Sequence, residues 1–273
     1  MPAERILITV KTYPTLSRSH GELVCTAGLR ENGTWMRVYP VPFRLLDYER
    51  RYSKFDWIEA SFSKNTRDSR PESFRPNDPH SIEKVGEMGT HDNWRERRDI
   101  VLGKAQVYDR LGYLIEAAHA NQFSLAVFKP TTILDFVWEE ADRDWDPTKV
   151  EEMRSRTEQG ELFATENWKD TLKLIPKLPY KFFYCFADQQ GRKSRLQVLD
   201  WETGQLYWNC LKNAEGDEGI ALLKVRQKYF DAFITTDLHF FLGTTRGFHG
   251  WASNPWVIIG VFPAPFVLQR TLF

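Results

Sequence analysis

Three carboxylates lie in segments whose composition suits chemistry on a nucleic acid. The segment NTRDSRPESFRP places Asp68 and Glu72 between arginines, and the segment DLHFFLG begins with Asp237. Cleavage of an N-glycosidic bond passes through an oxocarbenium-like sugar, which needs a carboxylate to stabilise positive charge or to position water. We therefore predict Asp68, Glu72 and Asp237 as catalytic candidates. The alternatives are a surface loop with internal ion pairs and, for Asp237, a satisfied buried pair with His239.

Arginines and aromatic residues accompany these carboxylates. Guanidinium groups bind phosphates through two parallel hydrogen bonds, and flat rings stack on bases. Arg37 and Tyr39 are two residues apart on a predicted strand and share one face, unless Tyr39 is half-buried and Arg37 merely solvated. The predicted nucleic-acid-binding residues are Lys11, Tyr13, Arg37, Tyr39, Arg44, Arg67, Arg70, Arg75, Arg246, His249 and Trp251.

The loop TTRGFHGWASNP joins the last two predicted strands and is rich in functional side chains for a connection of its length. Gly247 and Gly250 permit positive φ and close approach of the backbone to a partner. We predict that this loop wedges into or stacks on a flat partner such as a base. The alternative is a loop folded onto its own core, with Trp251 as a plug.

Composition and missing motifs narrow the function classes. The chain carries 37 basic and 37 acidic residues, which argues against purely electrostatic nucleic-acid binding but leaves room for a local basic groove. The sequence lacks Walker A, GxGxxG, HExxH, GxSxG and CxxC patterns, so nucleotide hydrolysis, zinc chemistry and serine hydrolysis are disfavoured. We expect no metal and no organic cofactor. Three widely spaced cysteines and the absence of an apolar leader or a long apolar run predict a cytoplasmic protein without a membrane span.

Hydrophobic periodicity predicts an α+β fold with a mixed, largely antiparallel sheet or small barrel and helices packed on it. We expect both ends of the chain to contribute to the sheet, and a short helix over Leu45–Tyr52. The segment Thr66–Pro79 reads as a loop, and a late helix is expected to bury Ile220, Leu223, Val225 and Phe230. The chain divides into a β-rich part (1–80), a mainly helical insertion with an acidic segment (81–178) and an α+β part that completes the sheet (179–273), and we expect these parts to form one compact unit.

Two local patterns predict how side chains are placed. In DLHFFLG, alternation puts Leu238, Phe240 and Leu242 on one face of a strand and Asp237, His239 and Phe241 on the other. In LDWETGQLYWN, Asp200, Trp201 and Glu202 lie at a strand-to-helix junction, where a cap at Asp200 is favoured over a catalytic role.

The stretches KTYPTLSRSHGELVCTAGLRENGTWMRVYPVPFR and DLHFFLGTTRGFHGWASNPWVIIGVFP resemble a family of uncharacterised bacterial cytoplasmic proteins over the whole length. In size and composition the chain is also similar to bacterial antiviral DNA glycosylases. That resemblance implies excision of modified bases from phage DNA.

Three functions follow from these residues. The first is a DNA glycosylase that flips a modified base out of phage DNA, removes it and leaves an abasic site. The second is a non-catalytic reader of modified DNA or RNA bases, built on a PUA-like barrel. The third is an adaptor whose contact surface is the acidic segment 135–170. The expected partner is therefore DNA, with no membrane; the sequence does not identify a protein partner.

Overall fold

The computed structural model describes residues 3–17, 21–41, 51–158 and 175–267. The strands are β1 (Glu4–Lys11), β2 (Thr15–Ser17), β3 (Gly21–Leu29), β4 (Trp35–Val41), β5 (Asp56–Ala60), β6 (Phe62–Lys64), β7 (Ser73–Pro76), β8 (Glu83–Glu87), β9 (Val107–Tyr108), β10 (Leu125–Phe128), β11 (Thr132–Glu140), β12 (Tyr180–Ala187), β13 (Lys193–Val198), β14 (Asp237–Thr244) and β15 (Trp256–Ala264). The helices are α1 (His91–Val101), α2 (Leu111–His119), α3 (Pro147–Glu158), α4 (Trp201–Asn213) and α5 (Glu218–Arg226), the last continued by a π-helical turn (Gln227–Ala232).

Two mixed sheets organise the described chain. The first has the order β6-β7-β4-β3-β1-β5-β8, with β2 paired to β3, and all its pairs are antiparallel except β4–β7. The second has the order β11-β12-β13-β15-β14-β10-β9, with parallel pairs β9–β10 and β13–β15. The predicted α+β class, with largely antiparallel strands and packed helices, is confirmed.

The core consists of three layers, because both sheets are covered on two faces. Alternation along β14 sends Leu238, Phe240 and Leu242 to one face and Phe241 to the other, as the sequence pattern predicts. The first face packs beneath α2, α4 and α5. The opposite face meets the first sheet in a shared apolar layer. A third cluster fills the far side of the first sheet, which curls around it.

Several local predictions need correction. The two ends of the chain form separate sheets that face each other, not one sheet, and the segment Thr66–Pro79 contains strand β7. This strand pairs with β6 on one side and, on the other, with Arg37 and Val38 of β4, which are far away in sequence. Most of the predicted helix at 45–52 lies outside the described residues. The segment 81–178 contributes strands to both sheets, so the structural division falls near residue 107.

The predicted buried face of α5 is rotated. Ile220 and Leu223 are 49% and 62% exposed, whereas the face toward the core carries Ala221, Leu222 and Val225. α5 lies against α4, and Ala221, Leu222 and Val225 belong to the core cluster that both helices cover. The prediction, which relied on the large apolar residues, therefore assigned the wrong face of the helix to the core.

Candidate functional site

A cleft of about 460 Å³ lies where the first sheet meets α4, and we call it the junction cleft. That volume is in the usual range for small-molecule sites. Its lining combines three amines, one carboxylate, two amides and one indole. The lining residues are Lys11, Ser53, Lys54, Trp201, Glu202, Gln205, Leu206, Asn209 and Lys228.

Short backbone contacts between the two sheets fix the walls of the junction cleft. After β1 ends at Lys11, Thr12 forms an isolated bridge with Asp200, and the amide of Tyr13 donates to the Leu199 carbonyl at 2.8 Å. Asp200 caps α4 by accepting from the Glu202 amide, as the sequence predicts. Because α4 starts at this point, its first turn faces the end of β1.

One face of α4 supplies the polar wall. Glu202, Gln205 and Asn209 are three and four residues apart and therefore lie above one another on the helix. Gln205 donates to Asn209 Oδ1 at 3.2 Å. Amide groups of this kind read hydrogen-bonding edges such as those of a base.

A buried ion pair lies at the base of the cleft. Lys54 Nζ is 2.8 Å from the Asp200 carboxylate and 3.0 Å from Glu202 Oε2. Burial alone lowers the pKa of Lys54, but the two carboxylates outweigh burial and raise it. Burial raises the pKa of Asp200 to about 6, although Lys54 opposes this shift. Lys54 is therefore held as an ammonium by Asp200 and Glu202, and the Glu202 side chain, which is 58% exposed, lies on the cleft wall.

Lys11 occupies a more apolar position beside this pair. Its Nζ donates to the Tyr52 carbonyl at 3.0 Å and lies 4.9 Å from the ring centroid of Trp201. Burial lowers the pKa of Lys11 to about 8, with nearby Glu202 acting in the opposite direction. The cleft thus places an amine of reduced basicity against the face of an indole.

Comparison with known families assigns the two halves of the chain separately. The model described as Domain of unknown function (DUF8757) matches residues 108–273, more than half of the chain. The chain belongs to the DUF8757 family. A second model, Domain of unknown function (DUF8758), matches residues 2–103. No curated protein and no solved structure gives a match.

The junction cleft needs both matched regions. The DUF8758 match supplies Lys11 and Lys54, whereas the DUF8757 match supplies Trp201, Glu202 and the rest of the α4 wall. The amines provide positive charge, and the indole provides a flat apolar surface. Together these groups suit an anionic ligand that carries a flat ring.

Five of the residues predicted from the sequence meet elsewhere, in a buried polar network between the sheets. Arg70 binds Asp68 through Nε at 2.9 Å and Nη2 at 2.6 Å and donates to the Thr244 carbonyl at 2.5 Å. Arg37 donates to Ser124 Oγ at 2.6 Å. Two further predicted residues complete the network. Glu72 accepts from the Ser124 amide at 2.9 Å, and His249 lies 3.0 Å from Thr244 Oγ1 through Nδ1 and 2.9 Å from Asn121 Oδ1 through Nε2.

The charges of this network are mutually compensated. Burial alone raises the pKa of Asp68, but hydrogen bonds from Arg70 and Ser73 lower it well below its usual range. Burial and the neighbouring Arg70 lower the pKa of Arg37 to about 10. Burial lowers the pKa of His249, and Arg70 adds to the shift. The described contacts of Asp68 and Arg70 join the two sheets, and both side chains are less than 9% exposed.

The remaining predicted residues are dispersed. Asp237 lies at the opposite end of β14 from Thr244, about 24 Å away along the strand, and binds Lys129 at 2.5 Å and Arg98 at 3.3 Å. The hydroxyl of Tyr13 donates to the Pro176 carbonyl, and the carbonyl of Tyr39 accepts from Asn65. Arg67, Arg75 and Arg246 are exposed, and Arg44 lies outside the described residues. The structure therefore groups the predicted carboxylates Asp68 and Glu72 but separates Asp237 from them.

The loop after β14 has two faces. His249 turns inward into the polar network, whereas Phe248 and Trp251 are 53% and 68% exposed, with ring centroids 5.4 Å apart. The indole of Trp251 donates to the Gly247 carbonyl at 2.8 Å, which holds the ring in place. An exposed aromatic pair on a fixed loop fits the predicted stacking element better than the predicted plug.

Among the residues predicted from the sequence to bind or react, only Lys11 lines the junction cleft. Asp200, Trp201 and Glu202 were assigned to a strand-to-helix junction with a structural role. The i, i+3, i+7 spacing of Glu202, Gln205 and Asn209 was the available signal. A single sequence contains no signal that brings Lys54 or Lys228 to this helix.

Two features are absent from the described residues. No group of three or more histidine, cysteine, aspartate or glutamate side chains in these ranges is arranged to hold a metal ion. No helix in the described part of the chain has the length and apolarity to cross a membrane.

Proposed function

We propose that this protein is a DNA glycosylase-like enzyme that removes a modified base, with the flipped nucleotide bound in the junction cleft. The cleft carries the proposal because it combines a stacking ring, base-reading amides, phosphate-binding amines and a carboxylate. Glu202 replaces the carboxylates predicted from the sequence as the group that stabilises the developing positive charge on the sugar. Asp68, Glu72 and Asp237 all have cationic or hydrogen-bonding partners outside the cleft.

The wider setting extends this proposal. Removal of modified bases from phage DNA would act in antiviral defence in the cytoplasm. The three cysteines are free thiols, which agrees with a reducing compartment. The exposed Phe248–Trp251 pair provides a second surface on which a base or an opened base step can stack.

The test compares phage DNA that carries modified bases with the same sequence amplified from ordinary nucleotides. Each DNA is incubated with purified protein and then treated with alkali, which breaks the strand at abasic sites. Breaks confined to the modified DNA support base removal. Equal absence of breaks in both DNAs, under conditions where binding is measured, refutes it.

Trp201→Ala tests the stacking surface. Base–aromatic stacking contributes about 1–3 kcal/mol per base, so we expect the affinity for modified DNA to fall by roughly tenfold to a hundredfold. Fluorescence anisotropy with labelled DNA measures this change. Tyr113→Ala is the matched control, because Tyr113 is an aromatic residue of α2 that is 44% exposed and does not line the junction cleft. Equal losses in both variants would contradict a specific role for Trp201.

A non-catalytic, PUA-like reader of modified bases is the second candidate. The polar network favours it, because the carboxylates Asp68 and Glu72 contribute to the packing between the sheets. Binding of modified DNA without alkali-sensitive breaks identifies a reader. Binding to neither DNA favours the adaptor function through the acidic segment.

A further inference from the structure

We propose that Lys11 is a nucleophilic amine that forms an imine with an aldehyde bound in the junction cleft. Given the proposed function, on which this inference rests for its substrate, the aldehyde is the ring-opened sugar of an abasic site. The reaction is distinct from base removal, because it acts on the product of that step.

The geometry singles out Lys11 among the three lysines of the cleft. The ammonium of Lys54 is held between Asp200 and Glu202. Lys228 lies on the exposed rim, on the π-helical turn. Lys11 combines 9% exposure with a place on the cleft wall, and its Nζ, which donates to the Tyr52 carbonyl, is shielded from bulk water.

The surroundings of Lys11 increase the fraction of the neutral, nucleophilic form. The rings of Trp201 and Tyr52 lie 4.9 and 5.7 Å from its Nζ. Charged groups that act on it include Glu202, Asp56, Asp200 and Lys54. Burial outweighs the three carboxylates and lowers the pKa of Lys11 from 10.5 to about 8. The neutral fraction at neutral pH is then roughly 300-fold higher than for an ordinary lysine.

The proposed step needs no metal and no oxidant. The lone pair of Lys11 Nζ attacks the aldehyde carbon, and a C–N bond forms. The two protons of the neutral amine move to the carbonyl oxygen, which leaves as water when the C–O bond breaks. The product is an imine between Lys11 and C1′ of the sugar. Borohydride, an external hydride donor, reduces this imine to a stable secondary amine.

The experiment uses the full chain with two probes. One is a duplex with a single preformed abasic site, which does not depend on base removal by the protein. The other is pyridoxal 5′-phosphate, an aldehyde that also carries a flat ring and a phosphate. After borohydride reduction and proteolysis, mass spectrometry identifies the modified lysine. We expect Lys11 to be modified by both probes, with a trapping rate that rises through pH about 8.

Variants separate reactivity from folding. Lys11→Arg keeps the positive charge but lacks a nucleophilic amine, so trapping at neutral pH should fall by about two orders of magnitude. Lys212→Arg, at the exposed end of α4, is the matched control and should react as the wild type does. Site mapping on the wild-type protein gives an answer even if the Lys11 variant folds poorly.

Each outcome decides the proposal. Modification of Lys54, Lys228 or surface lysines in place of Lys11 overturns it. Failure to trap abasic DNA overturns it as well, and labelling by pyridoxal phosphate then assigns the failure to the substrate and not to the amine. Trapping of abasic DNA at Lys11 without strand breaks in modified phage DNA supports this inference and rejects base removal.

Discussion

Replacement of Asp68 by asparagine is expected to lower the free energy of unfolding by about 3–5 kcal/mol. The side chains of Asp68 and Arg70 are 3% and 8% exposed, and their closest atoms are 2.6 Å apart. The amide cannot compensate the guanidinium, which remains buried near a second cation, Arg37. Urea denaturation of the wild type and of Asp68→Asn measures the difference.

Matched variants distinguish this buried pair from an ordinary one. Glu139→Gln breaks the ion pair between Glu139 and Arg195, whose side chains are 51% and 41% exposed. This change should lower the free energy of unfolding by less than about 1 kcal/mol. Adding Arg70→Met to Asp68→Asn removes the orphaned charge and should restore part of the stability. A loss below about 1 kcal/mol in Asp68→Asn would show that solvent reaches the pair and that the network is not a structural joint.

The same pair gives the wild type an acid dependence. The folded-state pKa of Asp68 lies below its unfolded value of 3.8, so its contribution is present above that value and is lost as the pH falls below it. Asp68→Asn lacks this contribution at every pH. The stability difference between the two proteins should therefore shrink as the pH falls below about 4, which denaturation in a series of acidic buffers measures.

Replacement of Glu202 by glutamine is expected to reduce the rate of base removal by about 10²–10⁴-fold. The carboxylate lies on the cleft wall, 3.0 Å from Lys54, at the first turn of α4. Glutamine keeps the shape but removes the negative charge that opposes the positive charge on the sugar in the transition state. Single-turnover release of the base from modified DNA measures the rate.

Folding and binding should change little in this variant. The Glu202 side chain is 58% exposed, and Asp200 still compensates the buried Lys54 ammonium in the variant, so loss of the Glu202–Lys54 ion pair should cost about 1 kcal/mol. Glu116→Gln, on the exposed face of α2, is the matched control and should retain full activity. Full activity of Glu202→Gln combined with inactivity of Asp237→Asn would move the chemistry to the end of β14 that the sequence first indicated.

The sequence predicted elements better than their assembly. The alternation in DLHFFLG and the cap at Asp200 depend on neighbours in the chain, and both predictions are confirmed. The burial of Arg37 depends on Ser124, which is 87 residues away, and no local pattern reports such a partner. Trp251 is exposed, as the stacking prediction requires, and its loop is held by the inward hydrogen bonds of His249.

The candidate site illustrates the same limit. The predicted binding residues include Lys11 of the junction cleft, but the side chains opposite it come from α4, which begins 190 residues later in the chain. Arginines were predicted to bind nucleic acid because guanidinium groups suit phosphates. Two of them, Arg37 and Arg70, instead form hydrogen bonds between the sheets. Charge and residue type alone cannot separate these two uses; burial decides between them.

The apolar layer between the sheets has a consequence for the two matched regions as separate polypeptides. Leu7, Leu29 and Val10 from one region pack against Phe241, Ile259 and Phe262 from the other. If the chain were cut near residue 105, each fragment would expose an apolar sheet face to the solvent. The boundary between the two family matches therefore lies within one folding unit. Each fragment is expected to aggregate when expressed alone and to become soluble only when both are co-expressed.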